Sequence, residues 1–551
     1  MIKRNIEPSL AQKTALCSML MMISVIGYTM LMFALRKPMS AYSAVLPVAG
    51  IAVYSVLFDR KLLKSLVICL VILIVWMALC AKIFDWSYDG MYYHKEAVIT
   101  LAEGWNPLFQ SSTAAQPLNS NANLWMWLDN YPKGIWICSA AIYIITGFLE
   151  TAKAVNILFI IMLFCAAHST FVTVFDAKNG RAAIFAAAAC LNPVYIAQIF
   201  TSYNDLAVGV LTVAAALLGM KIYSEKADRC DYALLGCITA MSCLVKFTAP
   251  LLVGLILFAY GTGYAIKLWR GGMEPKTIPT RFIKPAVVIF SGFIIGVTVL
   301  GYNPYVWHIT RGQNMVYPVL GENSYDIMNT NPPKGFDGKT EFEKYFLSIA
   351  SETSNNISEG YRVKIPFTVH KKEFDYLSHA DTRLGGFGVW FSGIFILALL
   401  LLIIAVIARQ KIRGETAILL IAFFMLGLFF PEAWWARYAS YTFYIPLFLL
   451  FCASEHTLIK PAAYAVVLAL VINSIMSIVC VIKDGNEITD GINNMLDDIK
   501  SEGKRVEVRI NDFPSHLKLF EEAGIPYVVA PDSIPDEIIF YEDTKYRFLD
   551  D

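Results

Sequence analysis

The chain has 551 residues, of which 57% are hydrophobic and only 16% are charged. A soluble protein of this length needs more charge to cover its surface, so these numbers exclude a set of ordinary soluble domains and indicate a chain that mostly faces lipid. The net charge of +1, from 45 basic and 44 acidic residues, argues against a nucleic-acid-binding protein. The 11 cysteines form no CxxC pair, and most lie singly in apolar runs, which predicts buried thiols rather than disulfides or metal ligands.

Apolar runs predict about thirteen membrane-spanning helices, and so an all-α polytopic membrane protein with a membrane domain at residues 1–482. The runs occupy roughly residues 14–35, 41–57, 65–83, 152–175, 182–199, 206–221, 232–248, 250–266, 285–302, 387–407, 415–430, 441–453 and 461–482. Several are shorter than the roughly 20 residues that cross a bilayer comfortably, so their ends are approximate.

The apolar run at 134–149 decides the predicted topology. If it does not cross the membrane, most basic residues of the short loops fall on one side, which is the cytoplasmic side by the positive-inside rule. The other side then keeps only Arg36, Lys37, Lys82, Lys95, Lys133, Lys153, Lys246 and Arg437 in its short loops and helix ends. The run is therefore predicted to be an interfacial or re-entrant helix in a plasma-membrane protein with a cytoplasmic N-terminus.

This topology places three segments outside the cell: loop 84–151, loop 303–386 and the tail 483–551. In the tail, helix-like stretches alternate with short strands at Arg505–Ile510, Tyr527–Ala530 and Ile538–Tyr541. The tail is therefore predicted to be a small extracytoplasmic α/β domain.

The first outer loop opens with two aspartates, Asp85 and Asp89. Ser87 is a candidate N-cap and Gly104 a candidate end for a helix of about sixteen residues. Asp89 would then lie in the first turn, where the helix dipole favours an ionised carboxylate, with Tyr93 on the same face. Such a carboxylate could act as a general base towards a hydroxyl, or could simply complement the helix terminus.

Two further charged residues are predicted at outer helix ends. Asp205 follows Tyr203-Asn204 at the start of one span, where an ordinary loop would also tolerate it. Lys246 lies in a turn between two apolar runs, and a lysine at membrane depth usually marks a functional site or a side chain that reaches for the interface.

A short outer turn carries Glu432, Trp434, Trp435, Arg437 and Tyr438. The paired tryptophans are typical of membrane-interface anchors. Arg437, with Glu432 as its nearest acidic neighbour in the sequence, could hold a phosphate in a bidentate manner.

Together these residues place carboxylates and cations on one outer surface, as transfer of a group from a lipid phosphate requires. The carboxylate would take a proton from the acceptor, and the cations would stabilise the leaving phosphate. No Walker or GxGxxG motif lies beside a strand, so the sequence does not indicate a nucleotide substrate.

At these positions the sequence resembles bacterial members of the GT-C superfamily of integral-membrane glycosyltransferases, over roughly residues 60–455. The motifs that carry the resemblance are, in chain order, Asp89-Gly90-Met91-Tyr92-Tyr93-His94, Tyr131-Pro132-Lys133-Gly134, Asn192-Pro193 with Tyr203-Asn204-Asp205, Lys246-Phe247-Thr248, Asn303-Pro304-Tyr305 with Tyr317-Pro318, Arg383-Leu384-Gly385-Gly386-Phe387-Gly388, and Trp434-Trp435-Ala436-Arg437-Tyr438. The chain departs from the family pattern in two extra spans before the first outer loop and in Lys133, which replaces a proline.

The resemblance implies a GT-C-like helical bundle and an inverting sugar transfer from a polyprenyl-phosphate donor to a glycan, lipid or protein acceptor. It assigns Asp89 as the general base, with Asp85 as a competitor. Lys246, Arg437 and Tyr438 would bind the donor phosphate and lipid. Asp205, His94, Tyr93, Tyr131, Lys133 and Glu432 would form the sugar and acceptor pocket. No cofactor is expected, and although some family members use a divalent metal, no metal requirement is predicted.

Two other functions fit the same features less closely. A polysaccharide polymerase or ligase also handles lipid-linked glycans on the outer face, but would need a pyrophosphate-linked donor. A flippase or other transporter usually shows related halves with broken helices, and no such internal repeat is present.

Overall fold

The computed structural model describes residues 7–114, 122–326, 331–409, 412–431, 433–530 and 537–549. Within these ranges the chain forms twenty α-helices and one four-stranded sheet. The helices are α1 (Leu10–Ala34), α2 (Tyr42–Phe58), α3 (Arg60–Cys80), α4 (Lys95–Ala102), α5 (Ala122–Asn130), α6 (Gly134–Thr146), α7 (Asn156–Phe175), α8 (Asn179–Cys190), α9 (Pro193–Gln198), α10 (Asp205–Tyr223), α11 (Arg229–Val245), α12 (Thr248–Arg270), α13 (Ile278–Ile295), α14 (Tyr302–Thr310), α15 (Glu341–Ala350), α16 (Phe391–Ile407), α17 (Gly414–Phe429), α18 (Tyr444–Ala453), α19 (Lys460–Ser501) and α20 (Leu517–Ala523).

Seven helical segments among the described residues are long and apolar enough to cross a membrane. They are α1, α3, the segment Leu149–Phe175 that contains α7, α10, α12, the segment Ile278–Leu300 that contains α13, and α19. Shorter apolar helices include α2, α6, α16, α17 and the segment Ser440–Ala453 that contains α18. The chain is thus a helical protein suited to a membrane, while the number of thirteen spans stays a prediction.

Two predicted elements have different bounds in the structure. The run 182–199 is not one helix, because α8 ends at Cys190 and α9 starts at Pro193. Proline has no N–H to continue the helix, and the Asn192 side chain instead accepts the Val194 amide at 3.1 Å as a new N-cap. In addition, the predicted boundary between the membrane domain and the tail, at residues 482 and 483, lies within α19, which continues without interruption to Ser501.

The centre of the bundle is α10, which contacts α7, α11 and α12 and is buried over most of its length. Its glycines allow neighbours to approach closely. A Cβ atom at Gly209 would lie 2.0 Å from Ser440 Oγ, and one at Gly219 would lie 2.5 Å from the Tyr260 ring. Helices in lipid have no hydrophobic driving force towards each other, so they associate through close van der Waals packing, which small residues allow.

Both ends of the short helix α6 lie beside the segment of residues 85–95. Near its start, Trp136 Nε1 donates to His94 Nδ1 at 2.7 Å. Just after its end, the Glu150 carboxylate forms an ion pair with Lys95 and accepts the Asp85 amide at 2.9 Å. With 13 residues it is only about 20 Å long, which is shorter than a hydrocarbon core. That residues 134–149 stay on the outer side remains a prediction, and this geometry agrees with it.

Residues beyond α19 form a small mixed sheet with α20 against it. The strands are β1 (Val506–Arg509), β2 (Tyr527–Val529), β3 (Ile538–Tyr541) and β4 (Thr544–Phe548). Their order is β2-β1-β4-β3, with β1 parallel to β2 and antiparallel to β4. The three strands predicted from the sequence are confirmed, while β4 was not predicted.

This C-terminal domain packs on the segment around Met91 through a buried histidine. His516 Nδ1 lies 2.7 Å from Thr544 Oγ1, and Ser515 Oγ donates to the Met91 carbonyl oxygen at 3.0 Å. Burial, together with the nearby charge of Lys95, lowers the pKa of His516 to about 3. The domain is therefore attached through a neutral imidazole.

We expect the contact at His516 to weaken in mild acid. The unfolded chain takes up a proton on His516 below its ordinary pKa of about 6.5, whereas the folded chain does not until about pH 3. The unfolded state then binds more protons, so stability is lost progressively as the pH falls from about 6.5 towards 3. Hydrogen exchange of β1 and β4 between pH 7 and pH 4.5 measures this loss, which His516→Gln should reduce. An equal pH dependence in both proteins would contradict the assignment.

Candidate active site

A cavity of about 830 Å³ lies between helix ends of the bundle, the large loop that ends at residue 386 and the C-terminal domain. Its lining includes six residues that the sequence predicts for the site: Asp89, Tyr93, Tyr131, Lys246, Arg437 and Tyr438. These residues come from four separate parts of the chain, and the fold brings them together. Many charged and polar side chains line it together with aromatic rings, and its volume is in the range of ligand sites.

The first wall of the cavity is the helix that carries Asp89 and Tyr93. The chain is helical from residue 88, forms a π-helical turn over Gly90–His94, and continues as α4 to Ala102. The predicted helix between Ser87 and Gly104 is thus confirmed. π-helical turns are frequent at functional sites because they change the direction of side chains within a helix.

Gly90 is required at the start of this turn. A Cβ atom there would lie 2.3 Å from Ser87 Oγ and 2.5 Å from Asp85 Oδ2. A side chain at this position would therefore displace the Ser87 hydroxyl and the Asp85 carboxylate, which is hydrogen-bonded to the Ser202 amide.

The Asp89 carboxylate lines the cavity and also contacts the guanidinium group of Arg437. Its Oδ2 atom accepts a hydrogen bond from Arg437 Nη1 at 3.1 Å, and its side chain is 26% exposed. Burial raises the pKa of Asp89 above its ordinary value, the Arg437 charge opposes this shift, and the carboxylate of Asp381 adds to it. Removal from water is thus the largest influence on this carboxyl group, and the two alternative roles of Asp89 stay predictions.

Arg437 is the hub of a charged cluster on the opposite wall. Its guanidinium lies 3.8 Å from Asp205 Oδ2, donates to the Tyr438 hydroxyl at 2.8 Å, and stacks 4.2 Å from the Trp435 ring centroid. Its side chain is only 7% exposed. The carboxylate partners of Arg437 are thus Asp89 and Asp205, from distant parts of the chain. Glu432, its predicted neighbour, lies outside the described residues.

Lys246 and Asp205 form the second ion pair of the cluster. Lys246 Nζ donates to Asp205 Oδ1 at 2.5 Å and lies 4.3 Å from the Tyr438 ring centroid. Lys246 follows the last residue of α11 in extended conformation, and Asp205 is the first residue of α10, where the helix dipole favours a carboxylate. The pairing explains how both charges are held beside the membrane bundle.

Besides Asp205, three more of the predicted site residues do not line the cavity. Asp85 is fully buried and accepts the amides of Ser87 at 3.0 Å and Ser202 at 2.7 Å, so its carboxylate joins two loops. His94 accepts the Trp136 indole N–H and packs 4.2 Å from the Tyr93 ring, which it holds in place. These contacts suit supporting residues better than residues that touch a substrate.

Lys133 is the third of them. It is 4% exposed and donates to the carbonyl oxygens of Asp129 at 2.8 Å and Tyr131 at 2.7 Å. Burial lowers its pKa to about 7. Its contacts close the turn before α6 and do not reach the cavity.

The two tryptophans of the outer turn are buried rather than placed at a lipid interface. Trp434 is 3% and Trp435 is 1% exposed, and their rings stack at a centroid distance of 5.5 Å. Trp435 Nε1 donates to the Asp381 carbonyl oxygen at 2.7 Å and its ring lies under Arg437. The predicted anchor role is therefore wrong for both residues.

Several residues of the cavity were not predicted as site residues. Among them, Asp381 and Arg383 come from the large loop before α16, and Asp512, Phe513, Tyr541 and Glu542 come from the C-terminal domain. They lie on loops or at strand ends, where hydrophobic periodicity gives no signal. Of these six residues, only Arg383 belongs to one of the motifs on which the resemblance is based.

The described residues contain no group of three or more histidine, cysteine, aspartate or glutamate side chains that could hold a metal ion. Metal independence stays a prediction. Comparisons of the chain with the profiles of known protein families, with curated proteins and with solved structures find no match.

Proposed function

We propose that the chain is an integral-membrane glycosyltransferase that moves a sugar from a polyprenyl-phosphate donor to an acceptor on the outer side of the plasma membrane. The observation that carries the proposal is the cavity wall on which Asp89 faces Arg437, with Lys246 and Asp205 directly beside them. It unites a carboxylate, two cations and aromatic rings in one enclosed space.

The proposed reaction is a displacement at the anomeric carbon of the donor sugar. Asp89 accepts the proton of the acceptor hydroxyl as the hydroxyl oxygen bonds to the anomeric carbon, and the bond from that carbon to the phosphate oxygen breaks. The phosphate leaves on its polyprenyl chain, and the sugar inverts. A raised pKa suits this role, because a stronger base accepts the proton more readily.

Arg437 and Lys246 would stabilise the phosphate as negative charge develops on its oxygen. They lie in a site of low exposure, where such interactions are stronger than in water. Asp205 holds both cations at once, so it would position them rather than touch the substrate.

The acceptor would enter from the side of the C-terminal domain. Tyr88 is 52% exposed and packs edge-on against Phe513 at 5.5 Å, and Tyr541 lines the same region. Aromatic faces of this kind can stack on a sugar ring. Loop 331–386 and the C-terminal domain would then form the acceptor platform.

The test is reconstitution of the full chain in liposomes with radiolabelled polyprenyl-phosphate sugars, in the presence of a membrane extract that supplies acceptors. Label should pass to a product insoluble in organic solvent, with release of polyprenyl phosphate. Transfer only from pyrophosphate-linked donors would favour a polymerase or ligase. Movement of label across the bilayer without transfer would favour a transporter.

A further inference from the structure

The large loop exposes a row of apolar side chains on its surface. Val363, Ile365, Phe367 and Val369 are all exposed, and Ile365, the most exposed of them, reaches 74%. They are spaced two residues apart over residues 363–369, which we call the apolar segment. Neighbouring apolar side chains are unfavourable in water, so a patch of this kind indicates contact with a membrane or with another protein.

The apolar segment is fixed to the rest of the loop by a buried ion pair. Lys364, which lies between two of the exposed residues, pairs with Glu373, and both side chains are buried. The Glu373 carboxylate also accepts the amides of Thr353 at 2.9 Å and His370 at 2.8 Å. Because Lys364 is held inward, its apolar neighbours on either side are held outward.

A turn within the segment places Phe367 against the start of α16. The Thr368 amide donates to the Ile365 carbonyl oxygen at 3.1 Å, and Phe367 has a φ of +67°, which favours glycine at this position of a turn. A Cβ atom at Gly393, in the first turn of α16, would lie 2.4 Å from the Phe367 ring. The phenylalanine therefore keeps an unfavourable backbone conformation while its ring packs on α16.

Two apolar helices place the segment at the level of the membrane boundary. On α16, the exposed apolar side chains begin at Ile396, only three residues beyond that contact. On α19, the exposed Ile482 is followed by the exposed Lys483, so the apolar surface ends there. The large loop meets α19 at this same point, where Ser378 Oγ donates to Asp484 Oδ2 at 2.6 Å. The segment thus lies where the lipid-facing surface of the bundle meets water.

The charges beside the segment match a lipid surface. Lys371 and Lys372 follow it directly, are exposed, and form no ion pair with any residue that the structure describes. Ammonium groups next to exposed apolar side chains complement a bilayer, whose hydrocarbon is covered by phosphate groups. A protein partner would need an acidic and apolar surface of its own, whereas the bilayer already surrounds α16 and α19.

We propose that residues 363–369 insert into the interfacial layer of the membrane, and that Lys371 and Lys372 bind the phosphate groups of anionic phospholipids in the same leaflet. The proposal depends on the continuity of this segment with the lipid-facing sides of α16 and α19, and not on sugar transfer. It implies that the bilayer supports the loop that carries Asp381 and Arg383 to the cavity.

The test is photocrosslinking of the full chain in nanodiscs of phosphatidylcholine and phosphatidylglycerol, with a benzophenone amino acid in place of Ile365. Light should attach phospholipid about as efficiently as with the same probe in place of Ile396, which is 46% exposed on α16. The yield should be roughly tenfold higher than with the probe in place of Glu359, which is 47% exposed on the same loop. Mass spectrometry measures the yield and identifies the attached lipid.

The attached lipid also reports on the two lysines. Phosphatidylglycerol should be enriched about two- to fivefold over its share of the bilayer. Lys371→Gln combined with Lys372→Gln should remove this enrichment, whereas Lys371→Arg combined with Lys372→Arg should keep it. Equal lipid attachment from positions 365 and 359, or attachment from position 365 mainly to another protein chain, would overturn the membrane contact. Enrichment that is absent from the wild-type loop, or that survives in the glutamine variant, would overturn the role of the lysines.

Discussion

Asp89→Asn is expected to reduce sugar transfer by about 10²- to 10⁴-fold while leaving donor affinity within a few-fold of the wild type. Asparagine keeps the shape of the side chain and can still contact Arg437, but it cannot accept the acceptor proton. The transfer rate and the donor affinity of the purified full chain check the two parts of this expectation.

The matched control is Asp381→Asn, a second carboxylate of the same cavity that is 21% exposed. It should lower transfer far less, because Asp381 is held by Asn355 at 3.1 Å and by Arg383. Full transfer by Asp89→Asn, or an equal loss in Asp381→Asn, would remove Asp89 from the role of base.

The pH dependence of transfer should show the burial of Asp89. A general base must be deprotonated, so activity is lost as the pH falls through its pKa. Because burial raises that pKa, the acid limb of kcat/KM should lie above the ordinary aspartate value of 3.8. Asp381→Asn should move the limb to lower pH, because it removes a negative charge that favours the protonated form of Asp89. A limb that does not move, or moves upwards, would contradict this coupling.

Glu150→Gln is expected to lower the free energy of unfolding by about 3–5 kcal/mol. The Glu150 carboxylate forms ion pairs with both Lys95 and Lys153, whose side chains are 4% and 1% exposed. Glutamine leaves two buried ammonium groups without a counter-charge. It also weakens the bond from the Asp85 amide, which lies at the start of the segment that carries Asp89.

Thermal unfolding of the full chain in detergent measures the effect of Glu150→Gln, with Lys95→Met as its control. Lys95→Met leaves Glu150 paired with Lys153 alone, so its loss should be clearly smaller. Equal unfolding temperatures for Glu150→Gln and the wild type would show that the two lysines are not held by this carboxylate.

Much of the helix plan follows from the sequence because spans, caps and breaks have local causes. The helix that starts after Ser87 and ends before Gly104 is one example. The break between α8 and α9 could also have been predicted, since Asn192-Pro193 both caps a new helix and ends the previous one. Residues on both sides of the break are apolar, so the hydrophobic run 182–199 predicts a single helix.

The candidate site could be predicted only in part. Asp89, Lys246 and Arg437 carry charge at helix ends, which is unusual enough to identify them. The burial of Asp85 depends on the amide of Ser202, which lies more than a hundred residues away in the chain. The Arg383 guanidinium likewise packs on the ring of Trp435, which belongs to a different part of the chain. Contacts between distant loops leave no periodic pattern, so the sequence cannot distinguish a supporting carboxylate from a reacting one.

The unbroken α19 fixes the orientation of one wall of the cavity. This helix of 42 residues runs from the bundle to the C-terminal domain, whose Phe513 and Tyr541 face the cavity. A helix advances 1.5 Å and turns about 100° per residue. An alanine inserted within α19 would therefore turn the residues after it by about 100°, which opposes the separate contacts of Ser515 with Met91 and of Glu522 with Leu149. The length of α19 and these contacts must therefore agree for Phe513 and Tyr541 to line the cavity.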